Sequence, residues 1–508
     1  MQPSPMQTWQ EKARIKVAET NSKIPEKWRL GKDDLVAAKK QRQLAGPFIE
    51  SFLDGETLEI TSHNSVPLLS KITSGHYTAL QVTIAFCKRV AIANQINNCL
   101  HEIIFDQAIE RAKELDEYFK KHASTLGPLH GLPISLKDQF HINGVDTTMG
   151  YTSLPQTLLL GETVNNLIGR SLNPVNQLLS CGGSSGGEGA LNALRGSSLG
   201  TGIGSSVRLP AAYCGIYSIK PTHNRFSYRD AANTNPGQNT YASSVGFLSS
   251  SVDALHLRQS LADSTLSRAS TDGYSNSNLQ LKLGVFWTDG IVGPHPPITR
   301  GLQLVVDTLR GVGHKVVNWN PPSQATARRI HLAFLTADGG HDVHKQLNLS
   351  GEPLIPKNFQ LREPMPLLQY QDLTLEGRDY CAAYSDYWNA TADDEDGQIV
   401  DAVIMPVAPH AGVMPGKFYH VVYTEAINLL DYSAAVIPVT KADKNVDTFN
   451  SEYEPLNEVD RKNWEAYYPE VYHGAPVGVQ LVSRKYEEEK VWVIAKIVSA
   501  ALKAAGVH

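Results

Sequence analysis

The sequence predicts an α/β protein built on a parallel or mixed sheet, on the evidence of three stretches and of chain length. Residues 281–286, 298–309 and 315–319 have the apolar patterns of a strand, a helix and a second strand. This succession is typical of a right-handed crossover between strands of such a sheet. At 508 residues, the chain is long enough to bury a large core.

Helical patterns dominate the chain before this sheet. A capping-box sequence at Thr78 predicts the start of an amphipathic helix that extends to Gln95. A short strand is predicted at 99–105, followed by a charged helix at 106–122 with its apolar residues on one face. Turn residues then lead into a short apolar strand that ends at Lys137.

Further elements follow the glycine-rich centre of the chain. A surface loop is predicted at 263–278, which is rich in Ser, Asn, Asp and Gly, and residues 325–396 are predicted to be helical with interruptions. The remaining predicted elements are strands at 213–222, 401–407, 434–440 and 477–482 and helices at 424–432 and 487–504.

Composition excludes several classes of function. The formal net charge of -5 at pH 7 provides no basic surface for nucleic acid or an anionic membrane. The five cysteines lack the spacing of a metal site, which favours reduced structural thiols. Residues 1–30 lack the apolar run of a signal peptide, and no segment has the roughly 18 apolar residues of a membrane span. We therefore expect a cytoplasmic protein that binds neither nucleic acid nor membrane.

One stretch, 182–206, has the composition of an active-site backbone. It contains nine glycines and six serines within apolar surroundings. Glycine allows the backbone to approach another group closely. A serine hydroxyl acts as a nucleophile when a base lies nearby and backbone N–H groups face the developing oxyanion. The stretch therefore predicts a hydrolase site.

The base in this site is predicted to be a lysine, because the chain has no Gly-x-Ser-x-Gly elbow with a well-placed histidine. A neutral Lys137 would accept a proton from a serine nucleophile through a second, bridging serine, and Ser184 and Ser206 are the candidates. Moving a lysine pKa from about 10.4 to near 7 costs roughly 4 kcal/mol, which burial beside uncharged hydroxyls can impose. From spacing alone, Lys137 is better explained as a surface lysine at a strand end than as a catalytic base.

Three ordered motifs resemble the amidase signature family of Ser-cisSer-Lys hydrolases. They are GLPISLKD at 131–138, GGSSGGEG at 182–189 and IGSSVRLPA at 203–211. The resemblance extends almost end to end, and the chain is most similar to the fungal acetamidase branch. It implies a single large α/β domain with a mixed central β-sheet surrounded by helices, often assembled as a homodimer. Residues 1–60 are expected to form an N-terminal arm, and 61–508 the amidase signature domain.

The resemblance assigns three catalytic roles and an oxyanion hole. Ser206 corresponds to the nucleophile, Ser184 to the serine on a cis peptide bond, and Lys137 to the general base. The family's oxyanion hole, which is made of backbone N–H groups before the nucleophile, corresponds to Ile203, Gly204 and Ser205, together with Ser206 itself.

The resemblance also implies supporting residues. Arg208 is similar to the arginine that supports the site, and a structural ion pair or carbonyl-binding role explains it equally well. Met149 and Tyr151 are expected to line the substrate pocket, with core packing as the alternative. Ser185 is expected beside them as a supporting residue of the substrate site.

The chain departs from the family pattern near Gly200 and near Tyr151. In the nucleophile turn, Gly202 replaces the family's aspartate, Ser205 replaces a glycine, and two residues are missing just before Thr201. If the lost glycine needed a positive φ, Ser205 would be strained where the oxyanion geometry is set. At Tyr151-Thr152 a helix and an interior strand, roughly 30 residues, are missing, which is expected to expose neighbouring strands.

The leading functional prediction is a serine amidase that hydrolyses a small carboxamide to a carboxylate and ammonia, without metal or cofactor. The alternative is an amidase-like protein with impaired or no catalysis, in a binding or accessory role or as the product of a damaged gene. A phosphate-binding loop is a weaker candidate, because no Gly-Lys-Ser/Thr sequence follows the glycines.

Overall fold

A nine-stranded mixed sheet runs through the computed structural model, which describes residues 8–141, 154–196, 198–238, 240, 243–255, 280–355, 359–394 and 397–507. The strands are β1 (Ser135–Leu136), β2 (Val164–Asn165), β3 (Gly169–Arg170), β4 (Ser198–Gly202), β5 (Tyr217–Lys220), β6 (Ser244–Ser249), β7 (Lys282–Val285), β8 (Lys315–Asn318), β9 (Ala402–Pro406), β10 (Ser433–Lys441) and β11 (Pro476–Ser483). Their order in the sheet is β1-β4-β6-β5-β10-β11-β9-β7-β8, and β2 and β3 pair separately. The predicted α/β fold with a mixed central sheet is confirmed.

Helices surround this sheet. They are α1 (Trp9–Ser22), α2 (Lys32–Lys40), α3 (Pro47–Glu50), α4 (Gly55–Ser62), α5 (Ser65–Thr73), α6 (Ala79–Asn97), α7 (Phe105–His122), α8 (Gly186–Ala193), α9 (Arg208–Cys214), α10 (Pro296–Gly311), α11 (Gln324–Leu335), α12 (His341–Ser350), α13 (Leu367–Asn389), α14 (Val422–Leu429), α15 (Glu458–Glu465), α16 (Pro469–Tyr472) and α17 (Glu488–Ala504). Within the described ranges, none of them has the length and apolar character needed to cross a membrane.

The sheet is buried on both of its faces. On β9, Ile404 packs in an apolar cluster with Leu302 of α10 and Ile494 of α17. Its neighbours Val403 and Met405 belong to a different cluster, together with residues of α11, α13 and α14. Because side chains alternate across a strand, the two clusters lie on opposite faces. Strands covered on both sides read as continuous apolar runs, which is why they were recognisable in the sequence.

The predicted crossover is present. Strands β7 and β8 are parallel neighbours, with Leu283 opposite Val316, and α10 connects them. The region predicted to be helical with interruptions contains α11, α12 and α13. All five cysteines are free thiols. The loop predicted at 263–278 lies outside the described residues.

Two predicted strands differ from the structure. Thr78 caps α6 as predicted, through a complete capping box, but the segment predicted as a strand at 99–105 is irregular and its last residue begins α7. Side chains satisfy the backbone there: the Leu100 N–H donates to Asn94 Oδ1 at 2.9 Å, and the His101 carbonyl accepts from Thr20 at 2.9 Å. In the strand predicted at 213–222, Tyr213 belongs to the end of α9 and only β5 is extended.

Strand β1 is the outermost strand of the sheet on its side. It pairs in parallel with β4, where Ser135 lies opposite Ser198, and the Lys137 N–H extends the ladder by donating to the Leu199 carbonyl at 3.1 Å. A cavity of about 290 Å³ adjoins β1 and is lined by apolar residues such as Leu136 and Phe105. Among the described residues, β1 therefore borders an unfilled, largely apolar space.

Candidate active site

Lys137 follows β1 directly and is fully buried. Its Nζ donates to Ser184 Oγ at 2.7 Å and to Thr201 Oγ1 at 3.0 Å, with the Thr201 carbonyl at 3.4 Å. Three oxygen acceptors therefore fix the amine against the glycine-rich stretch. The burial of this side chain excludes the surface lysine that spacing alone favoured.

The surroundings of Lys137 favour its neutral form. Burial lowers its pKa to about 7, against the opposing effect of the Glu188 and Asp138 carboxyls. Glu188 is itself fully buried in α8, and burial raises its pKa to about 8. Because both groups lose more by desolvation than they gain from each other, the site is a low-dielectric environment that disfavours charge.

The predicted bridging serine lies at the start of α8. The Gly183–Ser184 peptide bond is cis, as the sequence resemblance implied. The next residue, Ser185, is fully buried, and its hydroxyl donates to the Thr201 carbonyl at 3.3 Å. The Ser185 N–H donates to the Ser206 carbonyl at 3.0 Å. Ser185 thus connects α8, the end of β4 and the turn that carries Ser206.

Glycines let these segments approach one another, as their density predicted. A Cβ at Gly186 would lie 1.9 Å from Thr163 Oγ1, and a Cβ at Gly183 would lie 2.3 Å from the Leu160 carbonyl oxygen. Both distances are far inside van der Waals contact, so any side chain would push the cis-serine segment away from its neighbours.

The turn from Ile203 to Ser206 links β4 to α9. In the described part of the chain, no group accepts a hydrogen bond from the N–H groups of Gly204, Ser205 or Ser206. Unpaired backbone donors are rare in a buried segment. The Ser206 side chain is buried. In this structure its hydroxyl does not form a hydrogen bond with the Ser184 hydroxyl.

The backbone of this turn carries none of the strain that Ser205 would have imposed at a positive φ. Gly202, Gly204 and Ser205 are all absent from the residues with a positive φ. The Ser205 hydroxyl donates to the Gly183 carbonyl at 3.4 Å, which adds a contact between the turn and the cis-serine segment.

Arg208 begins α9 and lies beneath the turn with 1% of its surface exposed. Its guanidinium donates to the Gly204 carbonyl at 2.7 Å, the Thr424 carbonyl at 2.9 Å, Gln480 Oε1 at 2.8 Å and Asn428 Oδ1. Burial lowers its pKa to about 9. These partners are neutral acceptors, so its contacts are those of the carbonyl-binding alternative.

Several residues around the site carried no sequence signal. Thr201 donates to Gln139, which in turn donates to the Ala232 carbonyl at 2.5 Å. His331 of α11 and Glu425 of α14 reach the turn from segments far along the chain. Residues so distant in sequence have no spacing or periodicity that relates them to the glycine-rich stretch. Thr201 is the exception: it could have been identified from the sequence, because it lies inside that stretch.

Met149 and Tyr151, predicted to line the pocket, lie outside the described residues. A cavity of about 540 Å³ is lined by His101, Asp138 and Asn165, on the Asp138 side of Lys137 rather than at Ser206.

Comparison with known proteins places the chain in a family. The sequence model of the family described as Amidase matches residues 81–154 and 149–492. The chain is 38% identical to an acetamidase of Emericella nidulans, over 98% of each chain. It is 37% identical to an acetamidase of Aspergillus oryzae, over 98% of this chain and 99% of the relative. The structure is similar to that of a fatty acid amide hydrolase, with a TM-score of 0.86, 28% identity and coverage of 97% of this chain and 94% of that one.

The family match is divided at the position of the predicted gap. The two parts of the family match meet at residues 149–154, around Tyr151-Thr152. The alignment to the E. nidulans protein spans 556 residues, more than this chain contains, so it includes gaps in this chain. Taken together, the match over most of the sequence and the near-complete coverage show that this chain belongs to the amidase family of carbon–nitrogen hydrolases, which act on amides.

Proposed function

We propose that this protein hydrolyses a small aliphatic carboxamide to a carboxylate and ammonia through an acyl-enzyme on Ser206. The observation that carries the proposal is the 2.7 Å hydrogen bond from the fully buried Lys137 amine to Ser184 Oγ. A base whose pKa lies near neutrality takes up a proton at working pH and returns it in a later step. Both fungal relatives are acetamidases, which favours a short acyl group.

Acylation starts from neutral Lys137. Ser206 Oγ attacks the amide carbonyl carbon, its proton passes to Ser184 Oγ, and the Ser184 proton passes to Lys137. The carbonyl electron pair moves onto oxygen, which accepts hydrogen bonds from the N–H groups of the turn. When the carbon–nitrogen bond breaks, the nitrogen takes a proton from Ser184, and the Lys137 ammonium restores it. Ammonia leaves and an ester remains on Ser206.

Deacylation uses the same groups in reverse. A water molecule attacks the ester carbon and gives its proton through Ser184 to Lys137. The intermediate then expels Ser206 Oγ, which recovers a proton along the same path, and the carboxylic acid ionises on release. The relay requires contact between the Ser184 and Ser206 hydroxyls, and such contacts often tighten only once substrate is bound.

The turn supports this assignment independently of the lysine. The N–H groups of Gly204, Ser205 and Ser206 have no acceptor among the described residues, which suits them to donate to a tetrahedral oxyanion. A second feature in favour is the absence of positive φ at Ser205, because the altered residue then leaves the turn in an ordinary conformation. Both features favour an active enzyme over an amidase-like protein without catalysis.

The test is ammonia release from acetamide and propionamide by the purified protein. Ser206→Ala and Lys137→Met are each expected to lower kcat by at least about 10³-fold, because each removes a group of the covalent mechanism. Lys220→Met is the matched control: Lys220 is also a buried lysine, but its Nζ donates to the Pro221 carbonyl at 2.8 Å. A fluorophosphonate probe is expected to label wild type and not Ser206→Ala.

Two results would contradict the proposal. One is a wild-type rate no higher than that of Ser206→Ala. The other is equal loss of activity in folded Lys137→Met and Lys220→Met, which would show that Lys137 contributes as a buried side chain and not as a base.

A further inference from the structure

Three successive carbonyl groups before Ser206 each accept a hydrogen bond from a buried side chain. The Gly202 carbonyl accepts from Asn428 Nδ2 at 3.3 Å. The Ile203 carbonyl accepts from His331 Nε2 at 3.2 Å, and the Gly204 carbonyl accepts from Arg208 at 2.7 Å. We call these three side chains, Asn428, His331 and Arg208, the carbonyl clamp.

The carbonyl clamp fixes more than the carbonyls. A trans peptide unit is planar, and its N–H points opposite to its C=O. Holding the carbonyls of residues 202, 203 and 204 therefore directs the N–H groups of Ile203, Gly204 and Ser205 away from the clamp. These are the residues whose N–H groups the sequence predicts as the oxyanion hole. Holding the carbonyls on one side of the turn thus orients the N–H donors on its other side.

His331 is the member of the clamp that comes from α11, and it is almost completely buried. A carbonyl oxygen only accepts, so Nε2 carries a proton. On the other side of the ring, Nδ1 lies 3.5 Å from Glu425 Oε1 of α14. A Cβ at Gly204 would lie 3.7 Å from His331 Cε1 and 3.9 Å from Glu425 Cγ, so both side chains border the turn.

We propose that His331 is a positioning residue for the oxyanion hole: it holds the Ile203 carbonyl so that the Gly204 N–H faces the reacting amide oxygen. This inference rests on the proposed function and deepens it. The group touches no substrate atom, and its effect passes through one peptide plane. Preorganised donors stabilise the oxyanion of the transition state more than the neutral carbonyl of the substrate.

The main experiment compares His331→Leu with His331→Gln in the amide assay. Leucine fills the site without a donor, so kcat is expected to fall about 10- to 100-fold while KM changes less than about threefold, below the roughly 10²- to 10³-fold loss from deleting an oxyanion donor. The glutamine amide still donates to the Ile203 carbonyl, so His331→Gln is expected to recover most of kcat. Affinity for an alkylboronic acid, which forms a tetrahedral adduct with the serine, is expected to fall in parallel with kcat.

His410→Leu is the matched control. It also removes a buried imidazole, but the hydrogen bond that it breaks goes to Tyr213 and not to the turn. Its melting temperature is expected to fall while kcat stays near the wild-type value. If His331→Leu does not fold, His331→Met, which also lacks a donor for the Ile203 carbonyl, replaces it with the same expected fall in kcat at nearly unchanged KM.

Three outcomes would overturn the inference while leaving the proposed function intact. They are an unchanged kcat in folded His331→Leu, a His331→Gln variant as slow as His331→Leu, and a boronic acid affinity that does not follow kcat. Failure of the proposed function itself has a different signature, because Ser206→Ala would then keep its activity.

Discussion

At the scale of single residues, the burial of the Lys137 amine determines its protonation state. Lys137 is fully buried among hydroxyl and carbonyl oxygens, and desolvation brings its pKa to about 7. An exposed lysine, with a pKa near 10.4, would carry a proton at neutral pH and would not accept another. The same burial that is unfavourable for the charged side chain therefore favours the neutral amine that the proposed base requires.

The pH dependence of the rate follows from this pKa. In the proposed mechanism the neutral amine is the active form, so kcat/KM is expected to rise about tenfold per pH unit below about 7 and to level off above it. Steady-state rates on acetamide between about pH 5.5 and 9 test this. A flat profile across neutrality would contradict a lysine base, and the residual rate of Lys137→Met serves as the reference without it.

Sequence patterns identified some residues of the site and not others, for a physical reason. Lys137, Ser184 and Ser206 lie in turn-rich motifs whose glycines mark close backbone approach. Motifs of this kind can be recognised from the sequence alone. His331 and Asn428 lie against carbonyls of the turn, and no local pattern in the sequence indicates that contact. Their contribution depends on how α11 and α14 pack, which composition does not encode.

At the scale of elements, local signals were sufficient where they agreed with packing. The capping box at Thr78 starts α6, and the alternation of apolar runs located β7, α10 and β8. The segment at 99–105 shows the opposite case, because its apolar residues are buried without forming a strand and side chains bind part of its backbone. Short apolar runs do not by themselves distinguish a strand from a buried irregular segment.

Strand β1 is expected to be a weak point of the molecule. It has two paired residues, lies at the sheet edge and adjoins the cavity of about 290 Å³. Segments with few buried contacts open locally at lower free energy than the core. Because Lys137 follows β1, activity is expected to be lost on heating several degrees below global unfolding.

Hydrogen exchange measures this local opening directly. The amide of Lys137, which donates to Leu199, is expected to exchange faster than those of Val436 and Val479 in the central strands β10 and β11. Equal protection of the three amides, or inactivation that coincides with unfolding of the whole molecule, would contradict a locally weak β1.

At the scale of the whole molecule, the sequence predicted a mixed sheet but not its order. The centre is formed by β10 and β11, which pair antiparallel with each other, while β10 also pairs with β5 and β11 with β9. Ala435 lies opposite Ile219, more than two hundred residues away along the chain. Pairings of this range depend on the packing of whole layers, and no local motif records them.

Buried histidines are expected to make the fold sensitive to acid. His295 is 1% exposed, its Nε2 lies 2.9 Å from the Asn463 carbonyl oxygen, and burial lowers its pKa from 6.5 to about 4. His295 therefore takes up a proton near pH 6.5 in the unfolded chain but only near pH 4 in the folded chain. The free energy of unfolding contributed by His295 is present above about pH 6.5 and is lost as the pH falls towards 4, by about 3 kcal/mol in total.

Urea unfolding at about pH 7 and pH 5 tests this expectation against His295→Gln, which keeps a donor for the Asn463 carbonyl but does not titrate. The variant is expected to lose less stability than wild type on acidification. Equal losses in the two proteins would contradict a neutral His295 in the folded state.

The strand order also constrains when the molecule can be completed during its synthesis. Strands β1, β4, β6 and β5 form one half of the sheet and β9, β7 and β8 the other, and β10 and β11 join them. A nascent chain that ends before Ser433 has the strands of both halves but lacks the two strands that pair between them. It also lacks Gln480, a partner of Arg208 beneath the nucleophile turn. The ribosome must therefore release β11 before the sheet can close and the turn can acquire its full support.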